Sequence, residues 1–172
     1  GPWSHGQWYR GDGTKLGDVE FGYDVSAWYQ ENIQLPFFKS HLKGKGDIEL
    51  ATATMFETGA NRWRKFSSWP PKNTQPKTLY LGNKEKLLTD KPTEISYSEY
   101  VSDPNNPVPH SSKIGVGWDK TYMIEDQRFA ARRPDVLTFE TEVAEDDFTI
   151  AGSIELDLWF STSQTAADLV VK

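Results

Sequence analysis

Apolar positions follow two rhythms along this 172-residue chain, one helical and one extended. Val25, Trp28, Tyr29, Ile33 and Phe37 recur at three- and four-residue spacing, the stripe of an amphipathic helix facing a core. Asp24 stands where its carboxylate can accept from a free N–H of the first turn. Pro36 should kink or interrupt the helix, because proline lacks the N–H and clashes with the preceding turn. Gly44 and Gly46, flanking Lys45, supply the stop. The spacing therefore predicts one helix over about 25–43. Before it, Gly6, Gly11, Gly13, Gly17 and Gly22 among aromatics predict that residues 1–23 form a loop.

From Asp47 onward the rhythm changes. Short β-type runs lie between Pro, Asn and Gly clusters: Ile48–Glu57, Thr78–Leu81, Glu94–Val101, Val136–Glu142, Phe148–Ala151, Ser153–Thr162 and Leu169–Val171. In Ser153–Thr162 the residues Ile154, Leu156, Leu158 and Phe160 point one way; Glu155 and Asp157 point the other, with Trp159 as the exception. Such alternation suits an antiparallel sheet with one solvated face. Several short strands separated by turn signals predict a mainly β class, a β-sandwich or jelly roll. Residues 59–77 and 102–121 carry little regular signal and read as long connections. The change of character places a boundary near Gly44–Asp47.

Composition narrows the function classes. Aromatics are plentiful, at 13% of residues, so the chain can bury a core and does not read as disordered. The net charge is −6 with both signs interspersed, which argues against a nucleic-acid partner. No apolar run approaches the roughly 20 residues that span a bilayer, so no membrane segment is expected. Cysteine is absent, which excludes disulfides and thiolate metal sites. The chain opens without Met and stops on an apolar run, Leu169-Val170-Val171, so it is expected to be a piece of a longer protein.

An ordered series of strings then becomes recognisable: GPWSHG at 1–6, LPFFKSHLKGKG at 35–46, FETGANRWRKFSSWPP at 56–71, LYL at 79–81, YVSDPNNPVP at 100–109, EDQRFAARRPDVLTFET at 125–141 and IAGSIELDLWFSTS at 150–163. In order and spacing the chain resembles the bacterial hydrolase family of cocaine esterase, X-prolyl dipeptidyl peptidases, α-amino acid ester hydrolases and glutaryl-7-aminocephalosporanic acid acylase. It looks closest to the last two. The resemblance implies a jelly-roll β-sandwich preceded by the last loop and helix of an α/β-hydrolase domain. Residues 1–45 would be the end of that hydrolase domain, with a histidine loop over 1–23 and the helix over about 25–43. Residues 46–172 would be the C-terminal jelly roll.

The resemblance also assigns one catalytic residue, His5. On residue type alone, a histidine beside tryptophan is most often packed or superficial. In the implied fold the triad runs Ser, then Asp or Glu, then His, with histidine last. His5 would take the serine proton as the hydroxyl attacks an acyl carbonyl, return it to the leaving group, and later activate water. No Gly-x-Ser-x-Gly elbow occurs in the chain. The resemblance places the triad acid upstream, so Asp12 and Asp18, which follow His5, are not assigned to it. Residues 1–172 alone are therefore expected to show no esterase activity. The implied substrate is a small acyl ester, amide or X-Pro peptide, with no cofactor and no metal. The branch often forms homo-oligomers and is often exported, which leans the expectation toward the periplasm.

Other residues keep structural readings. His41 sits late on the helix, where a cation suits the C-terminal dipole, and His110 lies in a proline-rich loop. Trp63, Trp69, Arg62 and Arg64 invite a sugar- or peptide-binding story, but the resemblance makes this segment the packing surface against the hydrolase domain. Arg128, Arg132 and Arg133 with Asp126 and Asp135 could form ion pairs holding a long loop. The competing hypothesis is a stand-alone β-sandwich module binding carbohydrate or peptide. It leaves the stripe Val25–Phe37 without a purpose, and fold alone cannot decide function. If only the β-part folds stably, residues 1–23 should be poorly packed and exchange rapidly, with 48–57 and 153–162 protected.

Overall fold

The computed structural model describes residues 1–117 and 119–172. Its best-buried side chains lie in the N-terminal quarter. Leu16, Phe21 and Val25 form the core, and Trp3, Phe56, Trp63 and Ile124 pack against it. Residues 1–23 are thus well packed, so the condition under which they would be loose, a stable β-part alone, does not hold in this fold. Their aromatic side chains find cover on a hairpin that follows the helix.

The glycine-rich start is also more ordered than a loop. A short helix α1 (Gln7–Arg10) is followed by a hairpin of β1 (Lys15–Leu16) and β2 (Val19–Glu20). Gly17, at φ 55°, and Asp18 make its two-residue turn. The Phe21 N–H donates to Thr14 O (2.9 Å) and Val25 N–H to Gly13 O (3.3 Å), which ties this hairpin to the next helix.

Helical backbone then runs from α2 (Val25–Tyr29) through a π-helical turn (Gln30–Gln34) into α3 (Leu35–Lys43). Asp24 caps it, accepting from Ser26 N–H (3.0 Å) and Ala27 N–H (2.8 Å). The wide turn lies immediately before Pro36, and Leu35 N–H reaches back to Gln30 O. Widening there accommodates a residue that cannot join the α-helical ladder. Gly44 closes the run in the left-handed region at φ 57°, its N–H donating to Ser40 O at 3.0 Å. Burial fades along the helix: Val25 is fully buried, Trp28, Tyr29 and Ile33 are half-buried, and Phe37 and Leu42 are exposed.

The remainder is mainly β in its regular structure. Strand β3 (Ala53–Glu57) pairs antiparallel with β4 (Arg62–Phe66), with Phe56 opposite Trp63. Strand β5 (Tyr80–Leu81) pairs with β6 (Leu87–Leu88), and an isolated parallel bridge joins Lys86 to Glu140. A final short helix α4 spans Arg128–Ala131. Four of the expected runs, Glu94–Val101, Phe148–Ala151, Ser153–Thr162 and Leu169–Val171, form no strand, and Val136–Glu142 contributes only its bridge. The apolar residues of Ser153–Thr162 stand exposed, Ile154 at 84% and Trp159 at 95%. Alternation makes a strand only when a neighbour takes up its N–H and C=O groups. Conversely, β4 lies inside a stretch expected to be a connection. Only Trp63 and Phe66 in it turn inward, a spacing of three rather than two.

Candidate functional site

His5 lies on a tight turn between the buried Ser4 and the buried Gly6, and its own side chain is exposed. Gly6 has φ 75°, a left-handed conformation that lets the chain reverse directly into α1. The turn is held by Gln7. Its Oε1 accepts from Ser4 N–H (3.0 Å) and from the Ser4 hydroxyl (3.3 Å), while its Nε2 donates to Lys15 O (2.9 Å). The Gln7 N–H donates in turn to Ser4 O at 3.0 Å. The Ser4 flank of His5 is therefore fixed. The imidazole meets only the edge of Trp8, at 6.4 Å between ring centres, and has no hydrogen-bond partner among the described residues.

The floor under this turn is aromatic. Trp3 packs on Trp8 (6.2 Å), Tyr29 (5.2 Å) and Trp63 (5.9 Å), and Trp63 stacks on Trp28 at 4.8 Å with 12° between planes. Trp63 also meets Phe56 edge-on at 5.3 Å. The hairpin β3–β4 is thereby locked to the His5 loop and to α2. Asn61 reinforces the contact by donating to Glu20 O at 3.1 Å. Trp63 thus joins the hairpin to Trp3 and Trp28. Trp69 does not take part: half exposed, it lies on Phe66 at 5.6 Å. Arg62 and Arg64 are both engaged by Glu57 (2.7 and 3.2 Å). Their hydrogen bonds hold that carboxyl below its usual range.

His5 lines an open depression together with Arg10, Leu16, Gly17, Lys120 and Thr121. Lys120 and Thr121 belong to the long connection, brought close because Ile124 packs into the core and Gly17 has no side chain in its way. The segment is braced internally. Asp119 accepts from Lys113 Nζ (2.7 Å), Thr121 N–H (2.9 Å) and the Thr121 hydroxyl (2.7 Å), which drive its carboxyl far below the ordinary range. Sequence reasoning missed Arg10, Lys120 and Thr121, since nothing local joins positions so far apart. Gln7 had a signal, the Ser-x-x-Gln spacing from Ser4, of the kind that makes reciprocal bonds at helix starts.

The remaining residues fall elsewhere. His41 lies on Phe37 at 4.5 Å in the last turn of α3, and His110 lies on Tyr122 at 5.1 Å. Asp12 accepts from Thr14 and Asp18 lies in the β1–β2 turn; neither bonds to His5. Arg133 makes a forked pair with Asp135 (2.8 and 2.7 Å) and donates to Asn106 O (2.9 Å), so it does hold the long connection. Arg128 pairs locally with Asp126, and Arg132 has no ion pair among the described residues. No group of metal-ligating side chains and no helix long and apolar enough to cross a membrane occur among the described residues.

The cocaine esterase of Rhodococcus sp. (strain MB1 Bresler) is 29% identical over 185 aligned positions, which take in all of this chain and 32% of that protein. The chain thus spans about a third of that relative's length. The crystal structure of an aminopeptidase from a marine-sediment Thaumarchaeota archaeon superposes with a TM-score of 0.70 at 34% identity. That match covers 79% of this chain and 23% of the aminopeptidase. A family profile matches residues 47–172. By that match the chain belongs to the family of the X-Pro dipeptidyl-peptidase C-terminal non-catalytic domain.

Proposed function

We propose that this chain is the C-terminal part of a serine hydrolase and that His5 is the general base of its Ser-Asp-His triad. The observation that carries the reading is the extent of the cocaine esterase match. It includes residues 1–46, which the non-catalytic family domain leaves out, and so includes the rigid turn that presents His5. In this reading residues 1–45 close an α/β-hydrolase domain and 46–172 form a jelly roll beside it. His5 removes the proton from a serine supplied by the upstream part of the protein, and the alkoxide attacks an ester or amide carbonyl. The imidazolium then protonates the leaving group, and the neutral ring activates water against the acyl-enzyme. The substrate is a small acyl ester, amide or X-Pro peptide.

The test compares the longer protein with the 172-residue chain. His5→Ala in the longer protein should cut kcat for 4-nitrophenyl acetate by about 10⁴- to 10⁶-fold with little change in thermal stability. The chain by itself should be inactive. Turnover by the pure chain that disappears in His5→Ala would overturn the claim that the nucleophile lies outside it. Undiminished turnover by the longer His5→Ala protein would overturn the role of His5.

A further inference from the structure

The short helix α1 begins two residues after His5 and has little to hold itself together. It spans only Gln7–Arg10, its N-cap Gly6 offers no side chain to the free N–H groups, and the backbone turns extended at Gly11. Gly11 N–H returns to Gln7 O at 3.1 Å. The carbonyls beyond Gln7 have no further turn of helix to accept from. Yet α1 carries Trp8, the aromatic ring that meets the His5 imidazole, edge-on at 6.4 Å and 84° between planes.

Gln30 supplies the missing donor. Its Nε2 donates to Trp8 O across 22 residues of sequence. Among the described residues this is the only hydrogen bond joining α1 to the helical run that starts at Val25. Gln30 is a firm anchor, because its own main chain is engaged on both sides. Its N–H donates to Ser26 O and Ala27 O, and its carbonyl accepts from Leu35 N–H to close the wide turn. The Trp8 ring is held as well, by Trp3 at 6.2 Å and edge-on by Tyr9 at 5.5 Å. Gln7 cannot substitute for Gln30, since it ties α1 to Ser4 and to β1 and makes no bond to the helix behind.

We propose that Gln30 is a positioning residue for His5. It does not touch the imidazole, but by fixing Trp8 it fixes the ring edge against which the imidazole stands. A general base works only over a hydrogen-bond length and direction, so its orientation tells in kcat rather than in substrate binding. The catalytic consequence rests on the reading of His5 as the general base. The orientation of the ring does not.

The two are tested separately. In the 172-residue chain, cross-relaxation between the His5 ring protons and the Trp8 indole protons is measured by NMR, with the β3–β4 amide shifts as the check of folding. Gln30→Met keeps the length of the side chain and removes the donor. It should lower the cross-relaxation by about half or more while the hairpin shifts stay in place. Gln30→Lys returns a donor and should restore most of the signal, and Glu31→Gln, at an exposed neighbour, should change nothing. Unchanged cross-relaxation in Gln30→Met overturns the proposal, as does an equal loss in Gln30→Met and Gln30→Lys. Loss of the hairpin shifts in Gln30→Met also overturns it, because the bond would then hold the fold and not the ring. In the longer protein, Gln30→Met should lower kcat for 4-nitrophenyl acetate about tenfold with KM changed less than about twofold. Gln30→Lys should recover most of that kcat. A loss carried by KM, or no loss, overturns the catalytic role. Undiminished turnover in His5→Ala overturns the general-base reading instead, and the NMR comparison still decides whether Gln30 orients the ring.

Discussion

At the residue scale the chain fixes His5 by what surrounds it rather than by what touches its ring. Gln7 binds Ser4 on one flank of the turn and Lys15 O in β1, and Gly13 and Ser26 set how closely the glycine-rich segment approaches the helix. A Cβ on Gly13 would lie 2.1 Å from Ser26 Oγ and 2.7 Å from Ser26 N, at φ 62°. Gly13→Ala should therefore destabilise the chain by about 1–3 kcal/mol in urea unfolding, from left-handed strain together with overlap on the helix start. An unchanged midpoint would mean that the approach is looser than this. Ser26 itself is fully buried and its hydroxyl has no partner among the described residues. Ser26→Ala should accordingly be neutral or stabilising, since a buried hydroxyl without a bond contributes only its desolvation cost. A loss of more than about 1 kcal/mol would reveal a bond that the static geometry misses.

At the scale of elements, what is local was legible and what is shared was not. The helical run was readable because each of its signals acts within a few residues: the stripe from Val25, the Asp24 carboxylate, Pro36 and Gly44. Asp24→Ala should cost about 1 kcal/mol and lower the helical signal on heating, whereas Asp24→Ser should recover most of that loss. Strand β4 escaped because its inward residues, Trp63 and Phe66, follow no period of two. It becomes a strand because Trp63 docks on Trp3 and Trp28, a fact of tertiary structure. The reverse error occurs at Ser153–Thr162, which alternates well yet meets no partner strand. Truncating Trp63 tests which element matters most. Trp63→Ala should cost about 3 kcal/mol and release the β3–β4 hairpin from the His5 loop, while Trp63→Phe should cost less than half as much. The site was legible in the same partial way. His5 came from a family string, whereas Arg10 and Lys120 come to line one depression only through the packing of Ile124.

Across the whole molecule, order falls from the N-terminal third toward the C-terminus. The buried core draws on Leu16, Phe21, Val25, Phe56, Trp63 and Ile124, and from residue 143 onward the side chains are almost all exposed. Only isolated contacts tie that last segment down. They include Lys77 over Phe148 at 4.7 Å and Lys172 Nζ, which donates to His110 O at 2.9 Å. Backbone groups without a ladder partner exchange with solvent at little cost, whereas those in a packed hairpin require that hairpin to open. Amide exchange should therefore be slow in 53–57, 62–66 and 25–29 and fast throughout 153–162. The ion pair at Asp119 adds a pH dependence to this map. Its carboxyl titrates below the usual 3.8, so the stabilisation is complete above that value and is lost as the pH falls through the depressed folded value. The Thr121 amide, which donates to Asp119, should thus lose protection on acidification from pH 4 relative to the β3–β4 hairpin. In Asp119→Asn it should be weakly protected already at neutral pH. Slow exchange across 153–162 at neutral pH would mean that this segment pairs as a strand in solution and would favour the jelly roll proposed for 46–172. Fast exchange would mean that its alternating face stays uncovered in the isolated chain and needs a strand from elsewhere in the longer protein.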